Sequence, residues 1–433
     1  MGFGNRRTRR AIVFIVTGLA VFAGWGPQTV QLTAAAAASK GGSAKPGKGG
    51  SSTTTSTTST STSTTSTSTT STSTTSTTST STTSTTTTLP ALNPYAGHVG
   101  LSSKLVWSDE ATEQSQLSTI AAGGVTWIRE DFLWAALEPQ AGTWNWTDTD
   151  NLMTAAASTG VHVLAILGYS APWASSDPTG GGSQYYPPRN DSDYASFAGA
   201  VVARYGPGGT FWAEHLSLQP DPVTAVELWN EAYGYWDWLP NPDPAAYDRL
   251  VRAAVSSIRA VVPSEKILAS GTLNDVHSDG TSVGWISTLL ADDPGLGSVI
   301  DAWAIHPYPD PNNLGPYDTS EDVQWEYGRV ATIRQAELNA GVSLPLWITE
   351  VGWSTAPGAS SAVDETTQAQ YTHDAIYRAR NDWAGYVPMI FIYDWERSTG
   401  TTGDVEGNYG LMRSDGSLKP AWSSIVGLIK NGT

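Results

Sequence analysis

The stretch Val223-Thr224-Ala225-Val226-Glu227-Leu228-Trp229-Asn230-Glu231 is an apolar-rich run that ends in a Trp-Asn-Glu tip. A second run, from Leu344 to Trp353, reads Leu-Pro-Leu-Trp-Ile-Thr-Glu-Val-Gly-Trp and carries Glu350 near its end. Apolar runs of this length are typical of strands that are covered on both faces. The two runs therefore predict two buried strands, each ending in a glutamate beside tryptophans.

Strand-like and helix-like segments alternate eight times along the rest of the chain. The predicted strands are His98–Ser102, Val125–Asp131, Val161–Tyr169, Val223–Glu231, Lys266–Thr272, Val299–Tyr308, Leu344–Gly352 and Val387–Trp395. The predicted helices are Glu110–Ala122, Asp148–Thr159, Asp193–Tyr205, Pro244–Val262, Val283–Ala291, Asp322–Ala340, Glu365–Asp382 and Trp422–Lys430. This alternation predicts an α/β fold, a (β/α)₈ TIM barrel with its site at the carboxyl ends of the strands. A doubly wound open sheet is the alternative, but no Gly-rich phosphate loop follows an early strand.

Residues 1–38 have the composition of an export signal. Four arginines between residues 6 and 10 precede an apolar core, Ala11 to Trp25, and the small-residue run Ala34 to Ala38. This order is typical of a signal peptide, and the apolar core is short for a membrane span. We expect cleavage near Ala36–Ala38, with an uncleaved membrane anchor as the alternative. The protein is therefore expected to be secreted or held at the cell surface.

Residues 39–90 are predicted to be a disordered linker. A Gly/Lys-rich segment comes first, and residues 51–88 contain only Ser and Thr. Such a tract has no apolar face whose burial could offset its ordering entropy. The linker would hold the domain over residues 91–433 away from a cell surface or from a substrate-bound neighbour. An uncleaved N-terminal segment would in addition tether the domain to a cell wall or membrane.

Composition excludes several classes of function. Residues 91–433 hold all 40 acidic residues but only 16 of the 23 basic ones, a net charge of −24. So acidic a domain should repel nucleic acid. The chain has no Cys, and its six His residues show no metal-binding spacing. We expect a monomer that needs no cofactor and no metal.

Glu231 and Glu350 are the residues to which this pattern assigns chemistry. They end the predicted strands 4 and 7, which lie roughly across the barrel mouth from each other. Two carboxylates in that arrangement can flank one glycosidic bond, and retaining glycosidases hold the pair at about 5–5.5 Å. The partner of these acids would then be a carbohydrate.

The two strand ends also carry a family resemblance. Trp229-Asn230-Glu231, together with Trp347-Ile348-Thr349-Glu350, resembles clan A of the glycoside hydrolases. The resemblance implies a retaining hydrolase of β-linked poly- or oligosaccharides. It implies Glu231 as acid/base, Glu350 as nucleophile and Asn230 as the ligand of the sugar 2-hydroxyl.

Further motifs extend this resemblance over about residues 95–431. Arg129 lies in a motif similar to the second strand of the clan, His306 and Tyr308 in one similar to the sixth, and Trp395 in one similar to the eighth. The tail from Tyr409 to Trp422 resembles family 39. The end of strand 3, by contrast, lacks the His that is common in family 5 cellulases. The family within the clan, and with it the sugar, therefore stays open.

Tryptophans in the loops are candidates for stacking on sugar faces, although Trp equally fills protein cores. The candidates are Trp134, Trp173, Trp236 and Trp238, in addition to Trp395. We expect some of them to line the cleft.

Electrostatic reasoning adds three expectations. Glu231 must arrive protonated as an acid, so its surroundings should disfavour the ionised form. Glu350 must stay ionised, and Arg129 and Tyr308 are its candidate hydrogen-bond donors. Glu227 shares strand parity with Trp229 and Glu231 and should point into the barrel, where a buried carboxylate needs a partner. Arg129 is the predicted partner.

Two other functions share these residues. A non-catalytic carbohydrate-binding protein could use the same barrel, although such proteins tend to lose one of the two carboxylates and both are present here. A transglycosylase would have the same site and would differ in the acceptor.

Overall fold

The computed structural model describes residues 93–319 and 322–432. Eight parallel strands form a closed barrel in sequential order, and the last strand pairs with the first. The strands are β1 (Val99–Ser102), β2 (Trp127–Leu133), β3 (His162–Gly168), β4 (Ala225–Leu228), β5 (Lys266–Gly271), β6 (Ala302–Ile305), β7 (Leu346–Ile348) and β8 (Ile390–Tyr393). The predicted barrel is confirmed, and closure excludes the open sheet.

Helices connect the strands and cover the barrel. They are α1 (Glu110–Gly123), α2 (Trp134–Leu137), α3 (Thr147–Thr159), α4 (Asp191–Tyr205), α5 (Thr210–Glu214), α6 (Pro244–Val261), α7 (Trp285–Asp292), α8 (Arg329–Asn339), α9 (Glu365–Tyr377) and α10 (Pro420–Asn431). The predicted export segment and linker lie outside the described residues. No helix in the described part of the chain is long and apolar enough to span a membrane.

Several element boundaries differ from the prediction. Most strands are shorter at their carboxyl ends, because the chain there leaves the sheet to form the mouth of the barrel. The short helices α2 and α5 were not predicted, since each has fewer residues than one apolar repeat needs to be recognised. Helix α8 begins at Arg329 rather than Asp322, and α9 is followed by a π-helical turn to Asp382.

The core has two layers. Inside the barrel lie Leu164, Ala225, Leu268, Ala302, Ala304, Trp347, Met389 and Phe391. A larger apolar layer fills the space between strands and helices. Gly100 on β1 is required by the inner layer, because a Cβ at this position would overlap the ring of Phe391. The inward row of β2 then continues from Trp127 through Arg129 to Asp131, which brings charged side chains to the mouth.

Candidate active site

The end of β4 has an unusual backbone that sets the direction of two side chains. Trp229 and Glu231 have positive φ angles of 64° and 38°, a region that non-glycine residues rarely adopt. The strand therefore ends at Leu228, and Trp229 packs outside the barrel against Tyr169 and Tyr194. In a regular strand, Asn230 and Glu231 would point in opposite directions. Here both face the mouth, so the predicted inward parity holds for Glu227 and Glu231 but not for Trp229.

Glu350 follows β7 and is held by two donors. Arg129 Nη1 lies 2.5 Å from one carboxylate oxygen, and the Tyr308 hydroxyl donates to the other at 2.9 Å. The side chain remains 12% exposed, so a ligand can reach it. Charge-assisted hydrogen bonds of this kind are short and fix the orientation of a carboxylate. Both predicted donors are present.

Glu231 accepts hydrogen bonds from three side chains. His306 Nδ1 lies 2.8 Å and the Tyr233 hydroxyl 3.0 Å from Oε1, while the indole N–H of Trp236 donates to Oε2. The same His306 Nδ1 lies 3.8 Å from Glu350 Oε2. The two glutamate oxygens are therefore separated by at most 6.6 Å, the sum of the 2.8 Å and 3.8 Å contacts. Strands β4 and β7 thus bring the two predicted acids to one opening.

The predicted pair of Arg129 and Glu227 lies beneath this opening. Arg129 Nε and Nη2 donate to the two oxygens of Glu227 at 2.7 and 3.0 Å, a bidentate arrangement. Nη2 also donates to Asn230 Oδ1 at 2.8 Å. Burial alone would raise the pKa of Glu227, but Arg129 and His306 lower it to about 2. Glu227 therefore fixes the guanidinium that holds both Asn230 and Glu350.

Replacing Glu227 with Gln should destabilise the protein by about 3 kcal/mol, because it leaves the buried Arg129 without a full counter-charge. The stability that Glu227 contributes is present above its ordinary pKa of 4.5 and is lost as the pH falls toward about 2. The free energy of unfolding of the variant should therefore fall less steeply than that of the wild type as the pH is lowered from 4.5 toward about 2. The free energy of unfolding in urea, measured at several pH values, tests both expectations.

Glu113→Gln is the matched control for this experiment. Glu113 is also fully buried, but its carboxylate oxygens accept no hydrogen bond from any described residue. Burial, with Asp148 nearby, raises its pKa to about 8, so it is neutral at pH 7 and the amide should change stability little. If Glu227→Gln instead abolished turnover of a glycan while stability and substrate binding stayed intact, Glu227 would have a direct part in the chemistry.

His306 is a buried cation between the carboxylates. Burial would lower its pKa, but the charge of Glu350 and the hydrogen bonds with Glu227 and Glu231 raise it to about 10. Its Nε2 also lies 3.0 Å from Thr349 Oγ1. The ring is therefore an imidazolium at neutral pH and bonds Glu231 from one side.

This environment overturns the expectation for Glu231. Burial does disfavour its ionised form, but the hydrogen bond and charge of His306, with the donors Trp236 and Tyr233, outweigh burial and lower its pKa. The prediction that the surroundings disfavour the ionised form therefore has the net direction wrong. Either apolar or anionic surroundings would disfavour the ionised form, whereas three polar donors converge on the Glu231 carboxylate.

Asn230 is fixed by a carboxyl group that sequence reasoning did not identify. Its Nδ2 donates to Asp237 Oδ2 at 2.6 Å, and the Tyr169 hydroxyl donates to the same oxygen at 3.3 Å. Burial, reinforced by the charge of Glu231, raises the pKa of Asp237 well above its ordinary value. Asp237 is the one acid in the aromatic loop after Glu231, which is a signal that could have identified it.

The structure corrects most of the tryptophan assignments. Trp134 and Trp395 are 0% and 1% exposed and belong to the core. Trp134 stacks on Phe197, and Trp395 packs against Trp422 of α10, so the substrate contacts predicted for them are wrong. Trp238 is buried as well. The aromatic side chain that strand β8 turns toward the mouth is Tyr393, since the strand ends there.

Trp173 and Trp236 are the two candidates that remain partly exposed. Trp173 donates its indole N–H to the backbone of Glu138 and lies edge-on to the buried Trp134. The indole N–H of Trp236, the other stacking candidate, donates to Glu231. The run of aromatic residues directly after Glu231 is the sequence signal for a loop that folds back on this acid. In the described part of the chain, no group of three His, Asp or Glu side chains could hold a metal ion.

Solved structures share this fold. A family 39 glycoside hydrolase from the gut symbiont Bacteroides cellulosilyticus WH2 superposes with a TM-score of 0.56 and 22% identity, over 78% of this chain and 64% of its own. An exo-beta-1,4-mannosidase from Opitutaceae bacterium strain TAV5 superposes with a TM-score of 0.52 and 16% identity, over 78% of this chain and 59% of its own. A GH5_18 protein from Bifidobacterium longum subsp. infantis superposes with a TM-score of 0.54 and 15% identity, over 77% of this chain and 78% of its own. This chain thus spans about three fifths of the length of the first two.

Sequence comparison assigns the family. No curated protein matches the chain. The family model described as Cellulase (glycosyl hydrolase family 5) matches residues 76–387, which is more than half of the chain. The barrel and its shared opening agree with clan A, to which families 5 and 39 belong. The chain is therefore a member of glycosyl hydrolase family 5.

Proposed function

We propose that this protein is a retaining glycoside hydrolase that cleaves O-glycosidic bonds of β-linked poly- or oligosaccharides. The observation that carries the proposal is the separation of Glu231 and Glu350 oxygens by at most 6.6 Å across His306. Inverting enzymes place their carboxyl groups about 6.5–9.5 Å apart to admit a water, whereas retaining enzymes hold them closer. The 6.6 Å bound applies to one pair of oxygens, Glu231 Oε1 and Glu350 Oε2, and lies at the lower end of the inverting range, so it favours the retaining arrangement.

In the first step, a carboxylate oxygen of Glu350 forms a bond to the anomeric carbon of the sugar. The bond from that carbon to the glycosidic oxygen breaks, and the oxygen takes a proton from the carboxyl group of Glu231. Arg129 and Tyr308 support this step by holding the Glu350 carboxylate in one orientation. The product is a glycosyl ester of Glu350 and a free leaving group.

In the second step, water attacks the anomeric carbon and displaces Glu350 as a carboxylate. Glu231, now ionised, takes the proton of the water and is restored as the acid. The esterified Glu350 carries no charge, so Arg129 and His306 act more strongly on Glu231 and stabilise its ionised form. Two inversions at the anomeric carbon give net retention.

The acidic domain and the N-terminal composition support a secreted or surface-tethered enzyme that acts on neutral wall polysaccharides. The assignment of β-linked substrates follows the clan resemblance. The opening itself accepts a ligand, because Glu231 and Glu350 stay 17% and 12% exposed.

Anomeric stereochemistry tests the proposal. A panel of β-glucan, β-mannan, β-xylan and β-galactan should reveal at least one substrate, and proton NMR should show the β-anomer as the first product released. Appearance of the α-anomer first would contradict a retaining mechanism. Undetectable release from every glycan, alike for wild type, Glu231→Ala and Glu350→Ala, would favour a carbohydrate-binding protein. Wild-type products longer than the substrate would favour a transglycosylase.

Replacing Trp236 with Phe should move the alkaline limb of the kcat/KM profile to higher pH. The indole N–H stabilises the ionised form of Glu231, so its removal raises the pKa of that carboxyl. The acid then stays protonated over a wider pH range. For the wild type, we expect the alkaline limb of the profile to fall at acidic pH, since the pKa of Glu231 is lowered. Initial rates on a glycan between pH 3 and pH 9 give the profile.

Two further variants sharpen this test. Gly234→Ala should shift the limb in the same direction, because its Cβ would overlap the indole of Trp236 and displace it. Tyr235→Phe is the control, since this exposed ring lies edge-on to Trp236 but is not one of the three described side chains that bond the Glu231 carboxylate. A general loss of rate in Trp236→Phe without any shift of the limb would assign the indole a structural role.

A further inference from the structure

A buried arginine closes the long loop between β6 and α8. His306 directly follows β6, and Arg329 begins α8. Arg329 Nη2 donates to the backbone carbonyl of His306 at 2.7 Å, and Nη1 donates to the backbone carbonyl of Gln324. The arginine is only 5% exposed. One guanidinium therefore joins the first residue of the loop to a turn near its end, and that first residue is the one whose ring bonds Glu231.

The charge of Arg329 acts on the same surroundings. Burial lowers its pKa to about 10, whereas Tyr233, Glu231 and Asp310 act in the opposite direction. The side chain is therefore a cation at neutral pH. A Coulomb interaction acts equally on both partners, so this cation also favours the ionised form of Glu231.

The side chain of Gln324 extends the connection to a second loop. Its Oε1 accepts from the backbone amide of Asn274 at 3.2 Å, and its Nε2 donates to the backbone carbonyl of the same residue at 3.1 Å. Gln324 is buried, and Asn274 lies between β5 and α7. Both backbone groups of Asn274 are thus held by one amide, which joins the loop after β5 to the loop after β6.

Backbone hydrogen bonds lead from this second loop back to Glu231. The Val276 amide donates to the Tyr233 carbonyl at 2.8 Å, and the Tyr235 amide donates to the Val276 carbonyl at 3.0 Å. The Tyr233 hydroxyl and the Trp236 indole then donate to the two oxygens of Glu231. We call the closed series of contacts through these residues the Arg329 network. Its members are Glu231, His306, Arg329, Gln324, Asn274, Val276 and Tyr233.

Every side-chain donor to Glu231 depends on this network. His306 approaches the carboxylate from the loop after β6, whereas Tyr233 and Trp236 approach it from the loop after β4. Loops at the mouth of a barrel are independent connections unless such contacts join them. A functional side chain keeps its geometry only when the residues behind it are themselves fixed. A change at Arg329 would therefore reach Glu231 from both sides.

We propose that Arg329 is a positioning residue for Glu231, which holds His306 by its backbone carbonyl and joins the loops after β4, β5 and β6 into one network around this carboxyl group. Arg329 acts through His306 and the joined loops rather than on the substrate. The inference rests on the proposed function for the role of Glu231. The effect of the network on Glu231 can nevertheless be measured without turnover.

Several charged and titratable groups surround Glu231 and Arg329. They are Tyr169 after β3, Tyr233 and Asp237 after β4, His306 and Asp310 after β6, Arg329 on α8, Glu350 after β7 and Glu406 after β8. Of these, only His306 and Arg329 are cations at neutral pH. Removing the guanidinium takes away one positive charge and releases the backbone of His306. The ionised form of Glu231 then becomes less favourable, so the pKa of Glu231 rises.

NMR measures this pKa directly. The protein is labelled with ¹³C at the side-chain carboxyl carbon of glutamate, and Glu231→Gln assigns the resonance. In Arg329→Met, the pKa of Glu231 should rise by about 1 relative to the wild type. An unchanged pKa in folded Arg329→Met would overturn the positioning role.

Arg380→Met is the matched control for this measurement. Arg380 is 9% exposed and also donates to two backbone carbonyls, those of Pro94 and Val387. These carbonyls precede β1 and β8, so they lie at the amino ends of the strands, away from the mouth. Its replacement should lower stability but leave the pKa of Glu231 unchanged. An equal rise in both variants would mean general destabilisation and would contradict the proposal.

Two milder variants decide the matter if Arg329→Met does not fold. Arg329→Lys keeps a cation but loses the planar fork that reaches two carbonyls, so the pKa of Glu231 should lie between those of the wild type and Arg329→Met. Gln324→Met leaves the backbone carbonyl that Arg329 bonds but opens the network at Asn274, and it should raise the pKa as well. Wild-type values in both variants would refute the network.

The pH dependence of kcat/KM separates this inference from the proposed function. A higher pKa keeps Glu231 protonated to higher pH, so the alkaline limb on a glycan should move in Arg329→Met by the same amount as the pKa measured by NMR. If the pKa rises but the wild type cleaves no glycan, the proposed function fails and the positioning role stands. If the wild type cleaves a glycan but neither the limb nor the pKa moves in Arg329→Met, the positioning role fails and the hydrolase stands.

Discussion

Replacing Glu350 with alanine is expected to lower kcat on a β-glycan by roughly 10⁴- to 10⁶-fold, the range seen when a nucleophile is removed. The loss is large because Arg129 Nη1 and the Tyr308 hydroxyl donate to Glu350 and to no other described carboxylate, so no second carboxylate is oriented to attack. Folding should be preserved, since Glu350 remains partly exposed and Arg129 keeps its bidentate pair with Glu227. Steady-state rates, with circular dichroism as the folding check, measure the effect.

Small anions should restore part of this activity and report the mechanism. Alanine leaves space where the carboxylate was, and azide can enter it and attack the anomeric carbon of an activated substrate such as a 2,4-dinitrophenyl β-glycoside. A single displacement inverts that carbon, so the product should be the α-glycosyl azide. NMR of the product distinguishes the two anomers.

The surface pair of Glu365 and Arg413 supplies the control for Glu350→Ala. Glu365 begins α9 and accepts from Arg413 Nε at 2.9 Å, and neither of these two residues donates a hydrogen bond to Glu231 or Glu350. Glu365→Ala should change kcat less than about twofold, as expected for an exposed pair. A loss in Glu350→Ala no greater than this, or formation of the β-azide, would remove Glu350 from the role of nucleophile.

The barrel and the meeting of the two acids could be predicted because both depend on repeating patterns. Apolar periodicity reports which faces are covered, and eight alternations in one domain leave few arrangements for a parallel sheet. Closure brings the carboxyl ends of all strands to one rim, so Glu231 and Glu350 had to meet there. The pairing of Arg129 with Glu227 followed from the cost of burying a single charge.

The finer geometry of β4 could not be predicted from such patterns. Strand alternation assumes an extended backbone, and the positive φ angles at Trp229 and Glu231 break it. Strand periodicity alone cannot predict such a turn. It predicts Trp229 inside the barrel, whereas the turn directs Trp229 outward and brings Asn230 to the site beside Glu231.

The errors for Trp395 and for the pKa of Glu231 have a common origin. Each depends on how side chains from distant segments pack, which composition does not reveal. Trp395 is covered by Trp422 and donates to Gln116, residues of the last and first helices. Glu231 is bonded by His306, the residue directly after β6, and by Trp236 from the loop that follows Glu231 itself. Tryptophan content and strand ends indicated that a site exists but not which rings are exposed.

Replacing Glu231 with alanine should have an effect that depends on the leaving group. For a glycan, whose leaving alcohol needs a proton, kcat/KM should fall roughly 10²- to 10⁴-fold, the usual contribution of general acid catalysis. For a 2,4-dinitrophenyl β-glycoside, formation of the glycosyl ester needs no acid and should be nearly unaffected. Hydrolysis of that ester should become slow, because no base remains to activate water.

Azide and pH distinguish this variant from Glu350→Ala. With Glu350 still present, azide attacks the glycosyl ester from the opposite face, and the second inversion yields the β-glycosyl azide. The alkaline limb of the glycan profile, which the protonated form of Glu231 defines, should disappear. Tyr233→Phe removes one donor to Glu231 but keeps the carboxyl group, so it should retain the limb and serve as the control. Equal losses on the glycan and the dinitrophenyl substrate would show that Glu231 positions the sugar rather than protonates the leaving group.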